Sequence, residues 1–217
     1  MCAAVLYPDA VGDAKQLAGV PWCQEYEKMV TGEVYDCLAP KLIEQRGLAR
    51  RNIQKFNNYL PEESSSTPES AWRESLLRET LGRVGKKPWI EPPFTVDYGC
   101  NVDVGDGFYA NFNLVILDSA IVKIGHRVLM GPSVTILTAT HDVEVDLRRQ
   151  MREFAKPVTI GNDCWIGANV TILPGVTIGK GCTIAAGSIV SKDIPEFSVA
   201  LGSPAKVVRK VPEVPDI

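Results

Sequence analysis

From residue 158 onward the chain can be written in sixes: VTIGND, CWIGAN, VTILPG, VTIGKG, CTIAAG, SIVSKD. Ile160, Ile166, Ile172, Ile178, Ile184 and Val190 recur on this beat, and a small residue follows most of them (Gly161, Gly167, Gly179, Ala185, Ser191, with Leu173 the exception). The beat also runs through Val104, Ala110 and Ile116, slips by two around LDSAIVK, and resumes at Ile124, Met130 and Ile136. A period of six is neither helical nor the alternation of long strands. It suits very short strands that each turn one aliphatic residue inward, followed by corners where a glycine can take a positive φ. Three such sides close a triangular coil of about 18 residues, and stacked coils pair as parallel strands. A single coil cannot bury its inner face, so several must stack. The expected fold is mainly β, a parallel β-helix.

The beat fails once more, between Ile136 and Ile160, where TATHDVEVDLRRQMREFAKP stands. The interval is four sixes, so a loop at 138–157 leaves the solenoid and returns in register. Long loops on compact repeats commonly carry function. This one opens on His141, one of only two histidines.

Residues 1–87 read as an α-helical segment. PWCQEYEKMVTGEVYDCL is amphipathic, and PKLIEQRGLARRNIQKFNNYL spaces Leu42, Ile43, Ile53, Phe56 and Leu60 as a helix would, behind Pro40 in the first turn. PEESSSTPES at 61–70 reads as a connector, and 70–84 as a third helix capped by Ser70 and closed by Gly85. KKPWIEPPF then stops helix and sets a boundary near residue 88. The solenoid occupies 88–210, and 211–217 is a tail.

A net charge of −3 offers no overall basic field for nucleic acid or anionic lipid, and no apolar run is long enough to span a membrane. The N-terminus lacks the basic start of a secretory signal. Six cysteines without C-x-x-C pairs or zinc spacing then predict reduced thiols in a cytoplasmic protein, with Cys164 and Cys182 as packing residues.

The hexapeptide array together with YGCNVDVGDGFYANFNLVILD, TATHDVEVDLR, KPVTIGNDCWIGANVTILPGVTIG, AAGSIVSKDIP and GSPAKVV resembles the maltose and galactoside O-acetyltransferases. The likeness spans residues 22 to 210. It implies a left-handed β-helix, a hand opposite to ordinary parallel crossovers. It also implies acetyl-CoA as donor, a hydroxylated small molecule as acceptor, and a homotrimer with active sites between adjacent subunits. A thin filled prism has no internal pocket, so its cleft must lie outside, against a loop or a neighbour.

Acetyl transfer to a hydroxyl needs a base, an oxyanion donor and two substrates held close. By the resemblance His141 is the base, a role that suits imidazole at neutral pH, and Asn111 contacts the reacting hydroxyl. Asp97 falls where the family contacts the acceptor sugar. Asp36 is a second acceptor candidate, one residue after Tyr35 where relatives place it two or four after the aromatic. Tyr109 and Trp165 are candidate platforms for a sugar ring or the pantetheine arm. Ser119 stands where galactoside enzymes carry Asp, so galactoside preference does not carry over. For the donor, Ala168 matches a backbone amide near the thioester and Ala186 a second contact. Ser191 and Lys192 follow, and Lys206 and Arg209 match two arginines at the nucleotide end. Lysine at 206 keeps the charge without the bidentate fork. His126 is an exposed corner residue, and two histidines do not fit the zinc-dependent relatives, which use three; no metal is expected. A non-sugar alcohol as acceptor, or a non-catalytic scaffold, are the alternatives. His141, Asn111 and GSPAKVV together favour the enzyme, since a scaffold need keep none of them.

Overall fold

The computed structural model describes residues 6–59 and 69–215; Cys2, Leu60 and nearly all of the connector at 61–70 lie outside them. Four helices lead the chain: α1 (Ala10–Ala14), α2 (Gln24–Thr31), α3 (Pro40–Asn58) and α4 (Glu69–Thr80). α2 ends where Gly32, at a φ of 83°, turns back to reach the carbonyls of Lys28 and Met29. α3 starts with Pro40 and buries Leu42, Ile53 and Phe56, but Ile43 stays exposed. Two expectations for α4 need correction. It begins at Glu69, so Ser70 lies inside it rather than capping it. It also stops at Thr80, because Arg83–Val84 pairs in register with Asp103 and Val104 as the first strand of the solenoid. The solenoid therefore starts before the proline cluster at 88.

The coils build three parallel ladders. On the first face lie Arg83–Val84, Val102–Val104, Val122–Ile124, Val158–Ile160 and Thr177–Ile178. On the second lie Trp89–Ile90, Tyr109–Ala110, Leu129–Met130, Trp165–Ile166, Thr183–Ile184 and Ser198–Leu201, with Lys206–Lys210 added antiparallel. The third holds Phe94–Val96, Leu114–Leu117, Thr135–Leu137, Thr171–Ile172 and Ile189–Val190. Every residue on the six-beat is buried, from Val104 to Val190, in one continuous apolar core.

The glycines after the inward residues play a different part from the one expected. Positive φ falls three residues after most of the inward side chains, at Gly107, Asn113, Arg127, Ser133, Asp163, Asn169, Gly175, Gly181 and Gly187. Gly161 and Gly167 are needed because the next coil presses on them. A Cβ on Gly167 would stand 2.5 Å from the Ala186 nitrogen, and one on Gly161 2.5 Å from that of Lys180.

The slip in the beat also has a location. Ile116 to Ile124 is eight residues, as is Val96 to Val104, and both surplus pairs fall at the corner from third face to first. The 138–157 excursion leaves from the same corner. It is a hairpin, Ala139–His141 antiparallel to Glu153–Ala155, with the single turn α5 (Val145–Arg148) at its tip.

Candidate active site

Two corners of the prism gather the chemistry. At the corner between third and first faces, His141 is exposed and sits opposite Glu153 in the hairpin. Its Nδ1 lies 3.1 Å from the Arg152 carbonyl oxygen, which can only accept. With a carbonyl as its partner, Nδ1 is the ring nitrogen that donates.

The helical segment grips this hairpin. The Tyr35 backbone N–H donates to the Glu153 carbonyl at 3.2 Å, and its hydroxyl donates to Glu153 Oε1 at 2.8 Å. The same hydroxyl interacts with Ser119. Beneath lies Asp97, half-buried, with Arg50 of α3 3.9 Å from its carboxylate. Burial raises the pKa of Asp97, while Arg46 and Arg50 pull it down and Glu153 raises it further. Its backbone N–H, and that of Tyr98, donate to Oδ1 of Asp118. Asp118 is fully buried, its Oδ2 has no hydrogen-bond partner, and burial pushes its pKa up to about 7. Asn101 completes the corner, accepting from the Tyr26 hydroxyl of α2 and donating to the Asp118 carbonyl.

Asp36 follows Tyr35 but serves its own turn: its carboxylate accepts from the Leu38 N–H at 2.9 Å, and its backbone N–H donates to Glu25. Glu153, Asp118, Arg46 and Arg50 were not singled out by the sequence reading. The signal that marks this corner is the eight-residue spacing, which supplies the extra residues that carry Asp97 and Asp118.

The second corner lies between second and third faces. Asn111 is held with its Oδ1 accepting the Phe112 N–H at 2.7 Å, which leaves its side-chain amide as donor. In-register stacking continues the line through Gly131, Gly167 and Ala185 to Leu201, which pairs with Lys206. At about 4.8 Å per ladder step, Asn111 and Lys206 are roughly 24 Å apart. Ala168 and Ala186 flank this line, and among the described residues neither backbone N–H donates to a protein acceptor. A bulge sets Lys206 against Leu201 and Arg209 against Val199, so both cations share one face of the terminal hairpin. Ser191 and Lys192 are exposed just past the third-face strand. Tyr109, Leu129 and Trp165 stack outward on the adjacent second face, Trp165 57% exposed.

The corners do not meet within one chain. The third face separates them, about 10 Å of three-residue strand. His126 is an exposed corner residue as expected, its Nδ1 accepting the Asp106 N–H. Among the described residues no group of three or more His, Cys, Asp or Glu is placed to hold a metal, and no helix is long and apolar enough to cross a membrane. Cys164 and Cys182 are buried free thiols.

Residues 157–192 match the family model for bacterial transferase hexapeptide (six repeats), and 28–85 match the maltose acetyltransferase hexapeptide capping motif. The galactoside O-acetyltransferase of Escherichia coli K12 is 42% identical over 185 residues, which cover 85% of this chain and 88% of that protein. The chain belongs to the maltose and galactoside O-acetyltransferase family. A crystal structure of a maltose O-acetyltransferase from Clostridium difficile 630 superposes with a TM-score of 0.83 at 39% identity, covering 88% of this chain and 99% of the other. A hexapeptide-repeat-containing acetyltransferase from Vibrio cholerae O1 biovar eltor, complexed with acetyl coenzyme A, gives 0.80 at 36% identity over 88% of this chain and all of that one. With the family comes the hand of the solenoid: this is a left-handed parallel β-helix.

Proposed function

We propose that this chain, an acetyl-CoA-dependent O-acetyltransferase of the maltose and galactoside type, moves the acetyl group to a sugar hydroxyl, with His141 as general base. The observation that carries the reading is the 3.1 Å contact of His141 Nδ1 with the Arg152 carbonyl: Nδ1–H donates there, which makes Nε2 the nitrogen to accept a proton. Nε2 takes the proton of the acceptor hydroxyl as its oxygen attacks the thioester carbonyl. The tetrahedral oxyanion collapses, the C–S bond breaks, and the imidazolium returns the proton to the leaving thiolate.

The residues present fit the donor. The Ala168 N–H, unspent among the described residues, is the oxyanion donor. Ala186 contacts the arm farther along, and Lys206 and Arg209, with Ser191 and Lys192 nearby, take the phosphates. Asn111 aligns the hydroxyl and Asp97 binds the acceptor ring. Asp36 contributes little, since its carboxylate is spent on its own turn. Tyr109 and Trp165 supply apolar walls. Because the base and the donor line stand on different corners, one site takes its His141 corner from one copy and its Asn111 corner from the next, and a trimer closes three such sites. The chain works in the cytoplasm, where acetyl-CoA is made available.

The test is thiol release from acetyl-CoA by the wild type and His141→Ala across glucose, maltose, galactosides, aminosugars and non-sugar alcohols. Sugar-dependent release that disappears in the variant supports the reading. Release with non-sugar alcohols alone, or sugar-dependent release undiminished in the variant, refutes it.

A further inference from the structure

One ladder step before Asn111, away from the donor line, stands Glu91: its backbone N–H donates to the Ala110 carbonyl, and Ile90 pairs with Ala110. Trp89 lies in the same way beneath Tyr109 and keeps 47% of its surface exposed. Its indole N–H donates to Glu91 Oε1 at 2.8 Å, which fixes ring and carboxylate relative to each other. With Arg73, Glu74 and Leu77 of α4, they line a notch of about 140 Å³.

The geometry points to Trp89 and Glu91 as a subsite for a second pyranose ring of the acceptor, adjoining the ring whose hydroxyl meets Asn111. This rests on the reading of Asn111 as the hydroxyl contact. A pyranose offers C–H bonds on its faces and hydroxyls around its edge. An indole face with a carboxylate at its rim matches both. The step of about 4.8 Å suits adjoining rings of a glycoside, and the notch lies on the side of Asn111 opposite Ala168, clear of the donor. The Glu91 carboxylate at the rim favours a neutral ring over an anionic one. Glu91 presents a carboxylate, Glu74 is ion-paired with Arg78 at 2.7 Å, and the Arg73 guanidinium donates to the carbonyls of Phe56 and Tyr59 and stacks over Phe56. A phosphorylated sugar would meet the Glu91 carboxylate.

The experiment compares KM for glucose, maltose and acetyl-CoA in the wild type, Trp89→Ala, Trp89→Phe and Glu91→Gln, with sedimentation of each. Trp89→Ala raises KM for maltose about tenfold while glucose and acetyl-CoA are unchanged. Trp89→Phe keeps most of the maltose affinity, and Glu91→Gln falls between. The subsite is overturned if glucose and maltose move together or neither moves. It is equally overturned if Trp89→Ala dissociates the assembly, since the ring then packs against another copy. A wild type that acetylates non-sugar alcohols but neither sugar brings down the sugar reading itself, and the subsite with it.

Discussion

At the scale of single residues, His141 and Asp118 make opposite demands on the same corner. His141 stays exposed, held by one carbonyl through Nδ1. Its replacement by alanine removes no buried contact, so kcat falls by roughly 10²–10⁴ while the thermal midpoint stays that of the wild type. Steady-state kinetics beside a melting curve reads both. Asp118 is buried and holds the Asp97–Tyr98 backbone. Burial raises its carboxyl to about 7 in the folded chain from an ordinary value of 3.8. Below 3.8 the group is protonated in both states. Between that value and about 7 the unfolded chain sheds the proton and the folded chain keeps it, so stability falls as pH rises through this window. Urea unfolding at pH 5 and pH 7.5 shows a lower midpoint at the higher pH, and Asp118→Asn removes much of that drop. Asp97, also raised, accounts for a remainder of the same sign. Parallel drops in wild type and variant would assign the effect elsewhere. His141 was legible in the sequence because a histidine opening a break in a strict repeat is conspicuous. Asp118 was not, because nothing in LDSA tells a surface aspartate from one folded beneath the next coil.

Among the elements, the excursion and the helical segment act as a unit. Tyr35 ties the hairpin at Glu153, the residue directly across from His141. Tyr35→Phe deletes a hydrogen bond to a carboxylate and loosens the hairpin that carries His141. Acceptor kcat/KM is expected to drop about tenfold with KM for acetyl-CoA unchanged, because the proposed donor line lies at the other corner. Equal losses for both substrates would mean general unfolding instead. The six-residue period disclosed the strands and the exit point of the hairpin, since each depends on a local pattern. The pairing of Tyr35 with Glu153 spans 118 residues, and no local pattern encodes it. The end of α4 was misread for a related reason. TLGRV continues a helical pattern, but Arg83 and Val84 gain ladder partners in Asp103 and Val104 that are distant in sequence. The glycines after the inward residues were found but misattributed, because close coil-to-coil approach and positive φ both ask for glycine.

For the whole molecule, the inward column explains stability and the outward corners carry the proposed chemistry. The core from Val104 to Val190 fills the prism, so the chemistry has to sit on the outside. There His141 and Asn111, the proposed base and hydroxyl contact, fall on two corners with a face between them. Acetyl transfer at a site shared by neighbouring copies is the central claim, and subunit complementation tests it most directly. His141→Ala and Asn111→Ala are each purified, shown to be inactive, then unfolded together and refolded as mixed assemblies. If each site draws His141 from one copy and Asn111 from the next, about a quarter of the sites in a random mixture are intact, and acceptor-dependent thiol release returns to about that fraction of the wild type. Mixed assemblies as inactive as either variant alone would contradict the shared site.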